Sequence, residues 1–222
     1  GLKRAMALQP DWVLILNEDT VLDSACLGEL LRVGESDPTI GVVGPMVFHH
    51  AEPTVIQSAG GRIGRFWESI HIGADQGGAD EFTRPRDVTW ISGCAILVRC
   101  GVIERIGLLD ERFYYYWEEV DWCLRAGAAG WRIVHAPAAR LSHKGVRRGG
   151  EPSANLVYYD TRNRFLLMSV HHAPLLVRLV VWGRMFRTLT SWSLRAKWRS
   201  RRAHRDAMWQ GAVDYVRGRW GA

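Results

Sequence analysis

No run of about 18 uncharged apolar residues occurs in the sequence, so a simple membrane-spanning helix is not expected. The nearest approach, residues 173–194, is broken by Arg178, Arg184 and Arg187. An amino-terminal secretory pattern is also missing. The four cysteines (Cys26, Cys94, Cys100 and Cys123) form no C-x-x-C pair, and they read as buried, inert thiols of a reducing compartment. From Leu175 onward carboxylates all but disappear: only Asp206 and Asp214 stand against 11 lysines and arginines. Any strong compositional bias is absent as well. Charged residues make up 23% and hydrophobic residues 47% of the 222 positions, which excludes a disordered chain, a collagen-like repeat and a disulfide-stapled miniprotein.

Such a length supports one domain or one and a half, with a real core. The formal net charge is +6 and unevenly spread: the segment from Leu175 carries +9, the part before it −3. Five of the 11 tryptophans (Trp182, Trp192, Trp198, Trp209 and Trp220) lie in that basic segment. A basic, tryptophan-rich tail behind a mildly acidic body points to an anionic surface as partner, either membrane or nucleic acid.

Apolar periodicity gives a coarse map. Leu2, Ala5, Met6 and Leu8 fit the end of an amphipathic helix, punctuated by Pro10 and Asp11. Trp12–Leu16 is a short run suited to a buried strand of a parallel sheet. A helix end feeding a central strand so early predicts an αβ portion upstream of Gly1. Ser24 is the predicted N-cap of a helix reaching Gly34, with Leu27, Leu30 and Leu31 on its apolar stripe. Residues 41–48 read as a strand, 52–88 as irregular and glycine-rich with short strand candidates, and 88–98 as two strands kinked at Ser92-Gly93. Short and longer helices follow at 100–106 and 118–130, the latter closed by Gly127 and Gly130. Two short strands flank Pro137, a helix spans 153–171, and a basic helical tail ends the chain. Strands alternating with helices predict an α/β layered fold.

Three clusters carry possible chemistry. Asn17-Glu18-Asp19-Thr20 directly follows the first strand. Ligands of open α/β sheets sit beyond the C-terminal strand ends, and hard oxygen donors there suit Mg²⁺ or Mn²⁺ bridging phosphates. The plainer alternative is a polar turn with Asp23 or Ser24 capping the next helix. The second cluster, Phe113-Tyr114-Tyr115-Tyr116-Trp117-Glu118-Glu119-Val120-Asp121, ends an aromatic run in three carboxylates. A helix dipole favours carboxylates at its start, and one packed on aromatics gains a raised pKa fit for a general base. On a helix Glu118 and Asp121 share a face, while Glu119 points elsewhere; otherwise this is the acidic first turn of an ordinary helix. The third cluster runs from Ser142 and His143 through Lys144, Gly145, Val146, Arg147 and Arg148 to Gly149-Gly150. It offers an imidazole to a metal and a basic, glycine-rich loop able to fold over a diphosphate, or else it is a solvated basic loop.

Taken in order, these motifs, with Asp110-Glu111-Arg112-Phe113 between them, resemble the inverting glycosyltransferases of family two. That family includes bacterial rhamnosyltransferase-like and galactofuranosyltransferase-like enzymes, and the resemblance runs from residue 1 to about residue 170. It implies a GT-A fold, a mixed Rossmann-like sheet flanked by helices. Asn17-Glu18-Asp19 stands where the family has its DxD motif, so Asp19 is implied as a ligand of Mg²⁺ or Mn²⁺, with Asn17 and Glu18 at the donor diphosphate. Asn17 departs from the family's first Asp and offers a carbonyl oxygen instead. His143 matches a histidine that completes the metal shell in several members, and Lys144, Arg147 and Arg148 are implied as cations near the diphosphate. Glu119 stands in the place of the catalytic base, one methylene longer than Asp. Trp90, Gly93, Trp117, Glu118 and Asp121 are implied around the sugar and acceptor. Tyr158-Tyr159 and Arg162-Asn163 match a family pattern expected to be structural with some acceptor contact. The family's nucleotide-binding half, roughly seventy residues or more, is expected upstream of Gly1, and this piece by itself is expected to be inactive. The implied reaction moves a sugar from a nucleotide-diphosphate sugar to a hydroxyl of a glycan or lipid-linked acceptor, with inversion, in cell-envelope polysaccharide synthesis.

The expected division is a partial GT-A domain over 1–172, bearing the metal, base and acceptor side, and a basic tail over 173–222. Within the tail, Leu175, Leu179, Trp182, Phe186 and Leu189 fall on one helical face with Arg184, Arg187 and Arg195 roughly opposite; Val177, Val180 and Val181 blur the pattern. Such a helix suits a membrane interface, or it packs on the domain. The expected location is cytoplasmic, peripheral at the inner face of the membrane, and no nucleic-acid partner is expected. A rival reading is a nucleic-acid-binding or metal-dependent phosphodiesterase protein using Arg199, Arg201, Arg202 and Arg205, for which no recognisable motif is present. A third is a non-catalytic relative of the transferases.

Overall fold

The computed structural model describes residues 1–77, 81–145 and 149–221. The chain forms two compact units. The first comprises residues 1–62, 69–109 and 119–150; the second comprises 63–68, 110–118 and the chain from 151 onward.

The first unit is built on β3 (Ile40–His49), in which every residue is buried. An apolar run without polar alternation belongs where both sheet faces are covered. β3 pairs in parallel with β9 (Arg132–His143) and antiparallel with β8 (Ala95–Arg99) and β4 (Glu52–Ser58). β1 (Trp12–Leu16) lies antiparallel to β8, and β2 (Thr20–Leu22) antiparallel to β9, giving the order β1-β8-β3-β9-β2. Short strands β5 (Gly61–Ile63), β6 (Ser69–His71) and β7 (Arg86–Asp87) complete the set. The helices are α1 (Leu2–Met6), α2 (Cys26–Gly34), α3 (Cys100–Ile106) and α4 (Glu118–Ala128). Cys26, Leu30 and Val33 of α2 pack on Ile40, Val43, Leu97 and Val134. At about 1.5–3 kcal/mol per buried aliphatic side chain, this contact fixes α2 against the strands that carry the site.

The mixed α/β sheet flanked by helices is as expected, but five local readings change. Of the two strands expected over 88–98 only β8 forms, and Trp90 makes just an isolated bridge with Gly61. β1 is antiparallel and half-buried, and among the described residues it pairs on one side only; an apolar run does not encode strand direction. Ser24 is not the cap: α2 begins after Ala25 without a side-chain cap, and Cys26 N donates to Asp23 O instead. Gly127 lies inside α4, and the chain turns at Gly130, whose φ of 91° is open to glycine. The two strands around Pro137 are a single β9, which absorbs the proline through a register shift between the Pro45–Ala136 and Met46–Arg140 pairs. All four cysteines are free and buried, as expected. Burial pushes Cys26 up to about 11 and Cys123 up to about 12.

The second unit is mainly helical. α5 (Ala154–Val170) is capped by Ser153, whose Oγ accepts from Leu156 N at 3.1 Å. α6 (Leu175–Leu194), a 3-10 turn (Ala196–Arg201) and α7 (Arg202–Val216) follow. Phe165 and Met168 of α5 share a core with Val181, Met185 and Leu189 of α6 and Ala212 of α7, and Phe165 stacks on Trp182 at 4.1 Å. The compact units therefore do not divide at residue 172, because α5 shares its core with the tail. Nor does the expected apolar face of α6 point inward as a whole. Leu189 is buried and Trp182 partly so, but Leu175, Leu179 and Phe186 are exposed, while Val181 is buried and Val177 partly buried. The helix is apolar on two sides, and its inward side is the one with the smaller valines. No helix among the described residues is long and apolar enough to cross a membrane.

Candidate active site

The first acidic cluster forms the turn between β1 and β2. Asn17 N donates to Cys94 O at 3.0 Å, and Asn17 O accepts from Thr20 Oγ1 at 2.7 Å. Pairing of β2 with β9 sets Thr20 opposite His143, and Lys144 N donates to Asp19 O at 2.9 Å. These backbone links bring Asp19 Oδ1 to 3.1 Å from His143 Nε2. On the other side of the buried imidazole, Nδ1 lies 3.1 Å from Gln57 Nε2 and 3.4 Å from Cys94 Sγ. A Cβ at Gly145 would lie 2.2 Å from Asp19 Oδ2, so a side chain there would displace that carboxylate.

Glu119 reaches the same place through Ser92-Gly93-Cys94. Its carboxyl carbon is 3.8 Å from the position a Cβ on Gly93 would take. The Cys94 thiol is pushed up to about 11, first by burial and further by the Asp19 and Glu119 carboxylates, against the lowering effect of its Ser92 hydrogen bond. Two carboxylates that act on one thiol, with His143 touching that thiol, converge on one locus of the first unit. The sequence had singled out Asp19, His143, Gly93 and Glu119. It gave no role to Gln57, which lies 86 residues from His143 in the chain, or to the Cys94 thiol.

Other expected site residues lie elsewhere. Trp90 is an interior residue: its ring is edge-on to His71 at 4.7 Å, and a Cβ on Gly61 would come within 1.9 Å of it. Asp121 is buried in an ion pair with Arg125 (2.8 Å), which also donates to Ile106 O and Leu108 O. Open contact of Trp90 or Asp121 with a sugar is therefore not what the structure shows; packing and charge pairing occupy them. Asn17, Glu18 and Lys144 are exposed. Arg147 and Arg148 lie outside the described residues.

Trp117 and Glu118 belong to the second unit. Trp117 is buried and donates from Nε1 to Asp160 Oδ1 at 3.0 Å. Burial pushes the Glu118 carboxyl above its ordinary range, so Glu118 is a carboxylate of this cluster with a raised pKa. The preceding segment has left-handed backbone at Tyr114 (φ 59°), Tyr116 (65°) and Trp117 (77°), a conformation costly for non-glycine residues. Asn163 offsets that cost. Its Nδ2 donates to Phe113 O, Tyr115 O and Tyr116 O at 2.7, 2.8 and 2.8 Å, and Arg162 Nη2 adds bonds to Phe113 O and Arg112 O. Both side chains are buried, so their role is structural.

The donor set at Asp19 and His143 fits a divalent cation. A carboxylate oxygen and an imidazole nitrogen converge, the carboxylate is partly exposed, and no group of three or more His, Cys, Asp or Glu suited to a metal occurs among the described residues. Two protein donors suit a cation that takes its remaining ligands from phosphate and water. The Cys94 thiol stays protonated and faces Nδ1, away from that position.

Residues 1–166 match a family model described as "Glycosyltransferase like family 2". The chain is 30% identical over 175 residues to the N-acetylglucosaminyl-diphospho-decaprenol L-rhamnosyltransferase of Mycobacterium tuberculosis, covering 72% of this chain and 56% of that protein. It is 28% identical over 160 residues to the low-salt glycan biosynthesis hexosyltransferase Agl10 of Haloferax volcanii, covering 72% of this chain and 51% of that one. The chain thus spans about half the length of the curated relatives it matches. In fold it is similar to GalNAc-T7, a GT-A structure solved with UDP, GalNAc and Mn²⁺. That match has a TM-score of 0.55 at 14% identity, over 97% of this chain and 44% of the other.

Proposed function

Because the chain belongs to the family-two glycosyltransferases, we propose that it carries the cation- and base-bearing part of an enzyme that moves a sugar from a nucleotide-diphosphate sugar to a hydroxyl of a glycan or lipid-linked acceptor, with inversion, in building cell-envelope polysaccharide. The observation that supports this most is the convergence of Asp19, His143 and Glu119 around Gly93-Cys94. The relative from Mycobacterium tuberculosis is named for a lipid-linked acceptor, which favours an acceptor of that class here and a location at the inner face of the membrane.

In this reading Glu119 takes the proton of the acceptor hydroxyl. The hydroxyl oxygen forms a bond to the anomeric carbon on the side opposite the diphosphate, and the bond to the diphosphate oxygen breaks with its electron pair. Inversion follows from that geometry. Asp19 and His143 would hold Mg²⁺ or Mn²⁺, which offsets charge on the departing diphosphate. Gln57 and Cys94 hold the imidazole so that Nε2 faces Asp19. Asn17, Glu18 and Lys144 border the turn at which the diphosphate would lie, and Arg147 and Arg148, three and four positions after Lys144 in the sequence, would add positive charge.

The test is Glu119→Gln in the intact gene product. General-base assistance is typically worth about 10²–10⁴-fold, so turnover falls by that factor while calorimetric donor binding is unchanged. Normal turnover in that variant would remove Glu119 as the base.

A further inference from the structure

We propose that the outward face of α6, together with Trp209 of α7, docks on an anionic lipid bilayer, with the helix lying in the plane of the interface. The proposal deepens the reading of a membrane-borne acceptor and takes its purpose from it, but its structural grounds are separate.

α6 has 20 residues and is about 30 Å long. One side carries Val181, Met185 and Leu189 into the core of the second unit. On the opposite side Leu175, Leu176, Leu179, Phe186 and Leu194 are 69%, 73%, 58%, 48% and 79% exposed. At about 100° per residue these five fall within an arc of about 100°, so they form one stripe along the whole helix. Trp209, 51% exposed, extends it: with Phe186 and Leu194 it lines a groove of about 500 Å³. Contiguous exposed apolar surface of this kind marks an interaction site.

Charge decides the occupant. α6 contains no carboxylate. The two acids beyond Leu175 are already engaged: Asp206 with Arg205 at 2.7 Å, and Asp214 with Tyr158 at 3.0 Å and Gln210 at 2.9 Å. Arg187, Arg195, Lys197, Arg199 and Arg202 are exposed around and beyond the helix's C-terminal half. A second copy of this chain would set one +9 segment against another. Nucleic acid would match the arginines and leave five large apolar side chains in water. A bilayer with anionic headgroups accepts both, with the stripe entering the acyl boundary and the cations staying at the phosphates.

Flotation of the full chain with vesicles of phosphatidylcholine, alone or mixed with phosphatidylglycerol, tests the idea. The expected result is binding to the mixed vesicles, weakened by salt, and weak binding to phosphatidylcholine alone. Leu176→Glu with Leu179→Glu lowers partitioning about a hundredfold, roughly tenfold per leucine, with unchanged circular dichroism. Arg187→Ala and Arg199→Ala each lower it roughly fivefold on anionic vesicles and leave phosphatidylcholine binding unchanged. The proposal is overturned if the wild type does not float, if the double glutamate variant floats like wild type, if the wild type is a dimer that this variant splits without lipid binding, or if the vesicle-bound chain is stripped by duplex DNA. Flotation requires neither donor nor turnover. Persistent flotation of an intact protein that turns over no nucleotide sugar would sink the transferase reading and support this one. A double glutamate variant that turns over a soluble acceptor but no longer floats would support both.

Discussion

The two units treat their polar side chains in opposite ways. In the first, Asp19 is left partly open to solvent with its carboxylate against one imidazole. In the second, Arg162 and Asn163 are sealed and satisfied. Arg162 donates to Asn163 Oδ1, Gly221 O, Phe113 O and Arg112 O, and its guanidinium lies 4.9 Å from the centre of the Tyr159 ring. Burial of a charge is tolerable only when its hydrogen bonds are made inside the protein. Groups meant to bind or to exchange protons need unused capacity. On the proposed reading, the contrast separates residues that hold the chain from residues left open to a ligand, although the sequence presents both as conspicuous polar side chains.

The largest expected effect breaks the sealed side. Asn163→Asp keeps the shape, removes both N–H donors and leaves three carbonyls facing a carboxylate. Phe113 O keeps its bond from Arg162 Nη2, so at about 1–3 kcal/mol for each of the two other carbonyls left unsatisfied the second unit loses about 2–6 kcal/mol. Denaturant unfolding and amide exchange over residues 110–117 measure it. A loss under about 1 kcal/mol, within the range of surface substitutions, would show that the clamp is not what holds the left-handed segment.

Next comes the open side. Gly145→Ala puts a methyl 2.2 Å from Asp19 Oδ2, so the carboxylate has to swing away from His143. Displacement by about 1 Å costs on the order of a hundredfold in turnover, near 2.7 kcal/mol of barrier, while fold stability changes by less than about 1 kcal/mol. Unchanged turnover would mean that Asp19 does not need its position at His143 and would argue against both as cation ligands.

What was legible in the sequence follows the same division. Runs with one meaning were read closely: β3 appears at 40–49 against an expected 41–48, and α3 at 100–106 as expected. The cluster of Asp19, Gly93, Glu119 and His143 was legible because each sits in its own local motif. Gln57 was not, because its contact with His143 is made by strand pairing in β4 and β9 on either side of β3, across 86 residues. Trp90 and Asp121 were conspicuous as residue types, but a tryptophan against glycine and an aspartate four residues before an arginine have a plain interior use. The inward and outward faces of α6 are not separable in the sequence, because Val177, Val180 and Val181 blur the apolar period. In a helix apolar on two sides, size cannot rank the sides; the neighbours Phe165 and Trp67 in the fold do.

Acid should split the units more gently than either substitution, and in opposite directions. In the first unit burial lowers His71 to about 4 and, with Arg86 nearby, His135 to about 3. Neither ring nitrogen of His135 has a hydrogen-bond partner among the described residues. The unfolded chain takes up these protons near pH 6.5 and the folded chain does not, so it is the unfolded state that binds more protons. Stability from these two histidines is complete above pH 6.5 and falls as the pH drops toward 4 and 3, by up to about 1.4 kcal/mol per pH unit for each. In the second unit burial raises Asp160, against the opposing effects of Trp117 and Arg164, and it raises Glu118. There the folded state binds protons first, so stability is lost as the pH rises through those raised values and is recovered on acidification. Amide exchange at pH 7 and pH 5, corrected for intrinsic rates, should show protection falling in β3, β8 and β9 while it holds or rises in α5 and residues 110–118. His135→Phe should flatten the first trend and leave the second. Parallel loss in both units would mean that the buried carboxyls of the second unit are ionised without cost, and the contrast between sealed and open groups would fail there.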